Sequence, residues 1–298
     1  MNNPMDVWIR TRSFDTDYSF LGSAPTDLWW LEYDRSIDPS RPGAALESAG
    51  NAWKIYLTGI SSSRSDSAHR RIRYTLVLGG TAGDQPAMQN ASAILRNWLQ
   101  TAVDNEPMSA LPALLDEQFD EPTVASLLER RNADAAAEVT RRLREAFGKL
   151  RDVTAADSRQ AEPASRADPS WIGDLHADQP REEWLACTAT LLSGSPGRAL
   201  VVNLLQSEAD LDDQPSLRVP ESGALAILLA QPDPSLGARI RIRARRLPRP
   251  EVTHPKVPLM ARLRCEWSAL PPGRKRISIL VLIGLVLGAI AAIIRWLT

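Results

Sequence analysis

Cysteine, lysine and histidine are scarce in this chain of 298 residues. The two cysteines, Cys187 and Cys265, lie in different segments, so we expect no disulfide framework, and a reducing cytoplasm suits the chain. Only four of the 35 basic residues are lysines, which we interpret, with the abundant Ala and Pro, as the codon bias of a GC-rich bacterial genome. With three histidines, the chain offers few general bases for nucleophilic catalysis.

The N-terminal segment also has little apolar character, and we do not expect it to be a signal peptide. Residues 1–14 contain no apolar run and carry Asp6, Arg10 and Arg12 where a signal peptide would be apolar. The formal net charge of −1 gives no overall argument for binding nucleic acid, which we do not expect as a partner. The sequence shows no repeat of a length typical of solenoid proteins.

One long apolar run stands out near the C-terminal end. The 18 residues 277–294 carry no charge, and twelve of them are Ile, Leu or Val. As a helix they would extend about 27 Å, close to the roughly 30 Å of a bilayer's hydrocarbon core. The twelve aliphatic residues alone favour insertion by about 4–7 kcal/mol. We therefore predict a single transmembrane helix over 277–297 that anchors the chain by its tail.

Charge on either side of this run predicts its orientation. Residues 239–276 contain 12 basic and two acidic residues, and Arg274, Lys275 and Arg276 directly precede the run. Only Arg295 and the neighbouring Trp296 lie at its far end as interface residues. The positive-inside rule predicts an inner-membrane protein with its N-terminal region in the cytoplasm. The basic, Pro-rich stretch 248–276 is predicted to be a stalk that contacts anionic headgroups of the bilayer.

Small residues at a spacing of four lie within the predicted helix. Gly284, Gly288 and Ala292 would share one face and let two helices approach closely, which predicts a homo-oligomer. The alternative is that Gly and Ala are simply common in membrane helices.

The region before the stalk predicts a mixed α+β fold. Alternating residues from Val7 to Arg12, the aromatic run Leu28–Tyr33, and the stretches 53–60 and 71–78 are predicted strands, with 61–68 as a hairpin loop. A helix is predicted to begin at Asp84, and a second helical stretch near Pro122.

Low apolar content over 151–170 predicts a linker or surface loop after an N-terminal domain of residues 1–150. Residues 171–247 are predicted to form a second α/β-type domain or to continue the same fold. They include a helix from Asp178 to Leu192, ended by Gly194, and strands over 199–205, 224–230 and 239–244.

A glycine-rich stretch between a strand and a helix is the candidate cofactor-binding element. Gly79, Gly80 and Gly83 stand where exposed backbone N–H groups could bind a phosphate. The stretch lacks the Lys and Ser/Thr of a P-loop, and Asp84 opposes an anion at the helix start. A strand-to-helix turn is the alternative, and we expect no resident cofactor.

Two further groups of residues carry side chains that could bind an ion. His69, Arg70, Arg71 and Arg73 could hold an anion, or could be a solvated turn. The segment 174–178 brings Asp, His and Asp two residues apart, but a metal would need more ligands, so no metal site is predicted.

These observations carry no catalytic signature, and whether the protein is an enzyme stays open. In organisation the chain resembles bacterial tail-anchored accessories of signalling or defence systems, which implies an adaptor or sensor that binds a protein partner. The alternatives are a membrane-tethered nucleotide-binding or hydrolytic effector and a membrane-perturbing effector.

Overall fold

The structure is a computed structural model that describes residues 5–104, 109–130, 132–157, 170–206, 210, 214, 217, 223–232 and 239–241. In these residues the predicted mixed α+β fold is confirmed, as nine strands and five α-helices. The strands are Asp6–Thr11 (β1), Ser19–Phe20 (β2), Gly43–Ala49 (β3), Ala52–Ser65 (β4), Arg71–Thr81 (β5), Ser170–Asp174 (β6), Gly197–Val202 (β7), Ala224–Leu229 (β8) and Arg239–Arg241 (β9). The helices are Gln85–Asp104 (α1), Ala110–Gln118 (α2), Glu121–Arg130 (α3), Ala133–Asp157 (α4) and Asp178–Leu192 (α5).

All nine strands form one sheet, in the order β2-β1-β5-β4-β3-β7-β8-β6-β9. Strands β1 to β5 pair antiparallel, and β3 also pairs antiparallel with β7. Strand β8 lies between β7 and β6 and is parallel to both, so α5 connects β6 to β7 across the sheet, as parallel strands require. The N-terminal and C-terminal segments therefore share a sheet through β3 and β7.

Helices cover one face of the sheet and bury its main apolar core. Alternate strand residues such as Ile9, Leu57 and Leu76 point into this core and are fully buried. Two helix tryptophans reach the sheet backbone: the Trp98 indole N–H donates to the Thr58 carbonyl at 3.0 Å. The Trp184 indole N–H on α5 donates to the Leu200 carbonyl at 3.1 Å, so each buried ring keeps its polar group satisfied.

The opposite face carries a smaller apolar cluster around a short 3-10 helix, Trp29–Tyr33. The prediction of a strand over Leu28–Tyr33 is wrong. Backbone bonds from Leu31 N–H to the Leu28 carbonyl and from Asp34 N–H to the Leu31 carbonyl close local turns instead of pairing with the sheet. The aromatic side chains still pack on the sheet: Trp30 is buried and stacks on Tyr56 with ring centroids 5.8 Å apart.

The two central strands form a longer hairpin than the pattern indicates. Residues 53–60 and 71–78 are strands as predicted, but β4 continues to Ser65 and β5 to Thr81. Residues 61–65 are therefore strand, and the loop proper is 66–70. A register shift between Leu57 and Ile60 lets Ser62 face the helices, where its hydroxyl bonds Asp116 on α2 at 2.5 Å.

The helical region contains more elements than the sequence pattern predicts. The helix after Asp84 is confirmed as α1, whereas the single stretch from Pro122 is two helices, α3 and α4. Asn132 divides them, because its side-chain oxygen accepts the Ala135 N–H at 2.9 Å and caps α4. Glu138 and Arg142 pair one turn apart along α4, with Arg142 Nε 2.7 Å from a carboxylate oxygen of Glu138.

Towards the C-terminal end, the predicted helix Asp178–Leu192 matches α5. Strands β7 and β8 begin and end within a few residues of the prediction, and β9 begins at Arg239 as predicted and lies at the edge of the sheet. Residues 151–157 of the predicted linker belong to α4, and 158–169 lie outside the described residues.

The predicted stalk 248–276 and membrane helix 277–297 also lie outside the described residues. Among the helices that are described, none has the length and apolar character needed to cross a bilayer.

Candidate functional site

The glycine-rich stretch lies mostly within the sheet. Gly79 pairs with Asp6 on β1 and Lys54 on β4, and Gly80 pairs with Trp53. A Cβ at Gly80 would lie 2.2 Å from the indole ring of Trp53, so glycine is needed here for close packing. The backbone groups of Gly79 and Gly80 belong to strand residues and do not form an open phosphate-binding loop.

Gly83 and Asp84 form the turn into α1. Gly83 has a φ of +91°, a conformation that glycine adopts without strain. The Asp84 carboxylate accepts the Ala87 N–H at 3.2 Å and caps the helix. A carboxylate thus already occupies the helix N-terminus that a phosphate would need, and the geometry fits the alternative interpretation of this stretch as a strand-to-helix turn.

Asp66 organises the hairpin loop that holds His69 and Arg70. One of its oxygens accepts the backbone N–H groups of Ala68 and Arg70, each at 2.9 Å. The other pairs with Arg70 at 2.9 Å and with Arg12 at 3.3 Å. These bonds hold the pKa of Asp66 below its usual range, the backbone bond from Arg70 N–H being the largest cause. His69 is exposed in this turn with a φ of +57°.

Arg73 lies apart from this loop, on the sheet face that carries the 3-10 helix. Its guanidinium donates to neutral oxygens on β4, the Ser61 hydroxyl and the Gly59 carbonyl. Burial lowers its pKa, and the neighbouring Arg71 lowers it further. The four residues predicted as one anion site are thus divided: His69 and Arg70 lie in the turn held by Asp66, whereas the exposed Arg71 and the half-buried Arg73 lie on β5.

Three residues that the sequence analysis did not single out join Arg73. Arg10 and Arg12 place their guanidinium carbons 5.8 and 5.7 Å from the ring centroid of Tyr18. The Tyr18 hydroxyl oxygen accepts the Arg73 N–H at 3.0 Å. Arginines at the alternate positions 10 and 12 are a signal in the sequence, but their contact with Tyr18 depends on the turn that returns the chain to β2. We call Arg10, Arg12, Tyr18 and Arg73 the arginine cluster.

A second charged network crosses the same sheet face on β4, β3 and β7. Glu47 on β3 pairs in register with Lys54 on β4 and with Arg198 on β7. It accepts a hydrogen bond from the buried Tyr33 hydroxyl at 2.5 Å and lies 3.5 Å from the Arg198 guanidinium. Burial and the nearby Glu47 raise the pKa of Tyr33. Each group has a partner, so the network ties the 3-10 helix to the sheet.

The segment 174–178 follows β6 at the carboxyl ends of the parallel strands. The Asp174 carboxylate accepts the His176 N–H at 2.8 Å, and the His176 ring bonds the Ala230 carbonyl at 3.2 Å. Asp178 is not the helix cap but the first residue of α5, where it pairs with Arg181. Across the part of the chain that is described, no three His, Cys, Asp or Glu side chains group as metal ligands.

The membrane-interface residues Arg274, Lys275, Arg276, Arg295 and Trp296, and the helix-contact residues Gly284, Gly288 and Ala292, lie outside the described residues. Comparison of the chain with protein-family models, with curated proteins and with solved structures found no match.

Proposed function

We propose that this protein is a membrane-anchored adaptor or sensor whose sheet domain is held on the cytoplasmic side of the inner membrane. The observation that carries the proposal is the uncharged run 277–294, preceded by the strongly basic stretch 239–276. Such a run prefers lipid to water, and a basic flank is retained on the inner side. The basic flank contacts anionic headgroups, and the anchor can bring two copies together through Gly284 and Gly288.

The arrangement of the chain suits recruitment of a partner to the membrane surface. Strand β9 ends at Arg241, and the 35 residues 242–276 separate it from the apolar run. A chain of that length spans at most about 120 Å. The domain is covalently tied to the bilayer while its surface stays available to a protein partner, as a signalling or defence accessory requires.

Charge placed inside the run tests the anchor. Replacing Leu285 and Val286 with arginine puts two charges at the centre of the span. Each costs about 2.5–3.5 kcal/mol there, so the pair offsets most or all of the roughly 4–7 kcal/mol gained from the aliphatic residues. We expect the double variant to move from the membrane fraction to the soluble fraction after ultracentrifugation.

The matched control changes Ile277 and Ser278 to arginine. These two positions border the basic flank, where arginine side chains reach the headgroups. This control is expected to stay in the membrane fraction. Protease added to intact spheroplasts should leave the domain uncut and should degrade it after lysis. Equal fractionation of the two double variants, or digestion in intact spheroplasts, would contradict the proposal.

A further inference from the structure

Four arginines project from one face of the sheet near one end of β1 and β5. Trp8 and Val77 are partners across these strands, and both belong to the apolar cluster on the face of the 3-10 helix. Side chains alternate along a strand, so Arg10, opposite Thr75, lies on that same face. Arg73 and Arg71 lie two and four residues from Thr75 and share the face, and Arg12 follows Arg10 at the end of β1.

Tyr18 gathers three of these arginines. Its ring contacts the guanidinium groups of Arg10 and Arg12, and its hydroxyl oxygen accepts the backbone N–H of Arg73. A guanidinium over an aromatic face is attracted to the ring while its N–H groups remain free to bind an anion at the edge. Since the Tyr18 oxygen is an acceptor here, its own O–H is left as one more donor.

The positive charge of the cluster is only partly balanced. Arg12 is paired with Asp66 at 3.3 Å. Arg10, Arg71 and Arg73 form no ion pair with a carboxylate among the residues that the structure describes. Burial raises the pKa of the nearby Asp34, and the positive charge of Arg10 lowers it by a smaller amount. Two cluster guanidiniums therefore lack a countercharge within pairing distance.

One atom inside the cluster also lacks a partner. The Nε of Arg12 is buried and makes no hydrogen bond within the described part of the chain, although the Arg12 Nη1 reaches Asp66. A buried N–H without an acceptor costs free energy that a bound oxygen would recover. Burial of the positive charge of Arg73 has the same consequence, because an anion close by would offset the lost solvation.

We propose that the arginine cluster, Arg10, Arg12, Tyr18 and Arg73, binds a phosphate-bearing anion. Arginine presents paired N–H groups in a planar fork that matches two phosphate oxygens, and a phosphate dianion balances the two unpaired guanidiniums. The phosphate belongs either to a soluble phosphorylated molecule or to a phospholipid headgroup. The cluster lies within the sheet domain, so this binding does not require the membrane anchor.

The test measures binding of inorganic phosphate to the full chain in nanodiscs of zwitterionic lipid, by isothermal titration calorimetry at low ionic strength. We expect saturable binding of one phosphate per chain, weakening as salt is added. Changing both Arg10 and Arg73 to glutamine should weaken binding at least tenfold. Arg96→Gln is the matched control, because Arg96 is exposed on α1, on the opposite side of the sheet, and should leave the affinity unchanged.

A third variant separates a lost site from a lost fold. Arg10→Lys keeps the positive charge at this half-buried position of β1 but loses the paired donors, so it should weaken binding several-fold with an unchanged melting temperature. Adding phosphatidic acid to the nanodiscs identifies the source of the phosphate. If phosphatidic acid weakens the binding of inorganic phosphate, the site binds a lipid headgroup. If the affinity for inorganic phosphate is unchanged, the site binds a soluble phosphorylated molecule. Undetectable phosphate binding in the wild type, or equal affinity in wild type and double glutamine variant, would overturn the inference.

Discussion

Gly80 on β5 lies directly against the indole ring of its cross-strand partner Trp53. Trp53 is 1% exposed and belongs to the core beneath the helices. The ring occupies the space where any other residue at position 80 would place its Cβ. The close approach of the indole ring therefore requires glycine at position 80.

Substituting Gly80 should therefore destabilise the domain. We expect Gly80→Ala to lower the free energy of unfolding by roughly 1–3 kcal/mol, because the rigid indole has to shift. The matched control is Gly79→Ala, whose new Cβ would approach only Asp6 Cβ, at 3.9 Å, and should cost far less. Urea unfolding followed by tryptophan fluorescence checks both. A Gly80→Ala variant as stable as wild type would refute the packing argument.

Asp66 should make the stability of the hairpin depend on acid pH. Its pKa is lowered in the folded protein, chiefly by the backbone N–H of Arg70. The stabilisation from its ionised form is thus complete above the unfolded pKa of about 3.9 and is lost as the pH falls through the lower folded value. Asp66→Asn should lower the urea midpoint at pH 7 and reduce the loss of stability as the pH falls below the unfolded pKa.

The control for Asp66 is Asp15→Asn, at an exposed position in the turn after β1. This variant should follow the wild-type curve of urea midpoint against pH. If Asp66→Asn also followed the wild-type curve, the loop would not owe its stability to this carboxylate.

Cys187 should be unreactive in the folded protein. Burial against the core raises the pKa of its thiol to about 11, so little thiolate is present at pH 8. In a Cys265→Ser variant, labelling by a disulfide reagent at pH 8 should be at least roughly 100-fold slower than in urea, and should accelerate as the pH rises. If Cys187 in the folded protein were labelled as fast as in urea, its thiol would be accessible to solvent and the argument from burial would be wrong.

The self-association of the membrane segment is tested at its glycines. Gly284→Leu and Gly288→Leu would each place a bulky side chain on the face where two helices approach. Both should lower the signal in a membrane dimerisation assay, whereas Leu285→Ile, which changes no small residue, should not. An unchanged signal in both glycine variants would reject association through this face.

Elements with strong local signals could be predicted from the sequence. Helix α5 begins at Asp178 and ends before Gly194 as its acidic first turn and terminal glycine indicate. Strand β3 was missed because its Ala-rich sequence carries little β-branched or aromatic content, and tertiary pairing with β4 and β7 decides its state. The strand predicted over Leu28–Tyr33 is wrong because the prediction follows the general preference of aromatic residues for strands. Here they form a short 3-10 helix whose side chains pack on the sheet.

The arginine cluster could not be predicted for a different reason. Its members come from β1, the following turn and β5, and the cross-strand register of β1 on β5 brings Arg10 and Arg73 onto one face. Sequence spacing shows that residues alternate along each strand but not which strands are neighbours. The prediction that groups His69 with Arg73 follows chain order, so it does not include Arg10, Arg12 or Tyr18.

Extraction of washed membranes with alkaline carbonate tests the central claim most directly. This treatment releases proteins held by charge or by partners, whereas a segment that spans the hydrocarbon core stays with the lipid. We expect the full chain to remain in the pellet and to enter solution only with detergent. Release of the chain by carbonate alone would contradict the account, since it would mean that residues 277–297 do not lie within the bilayer.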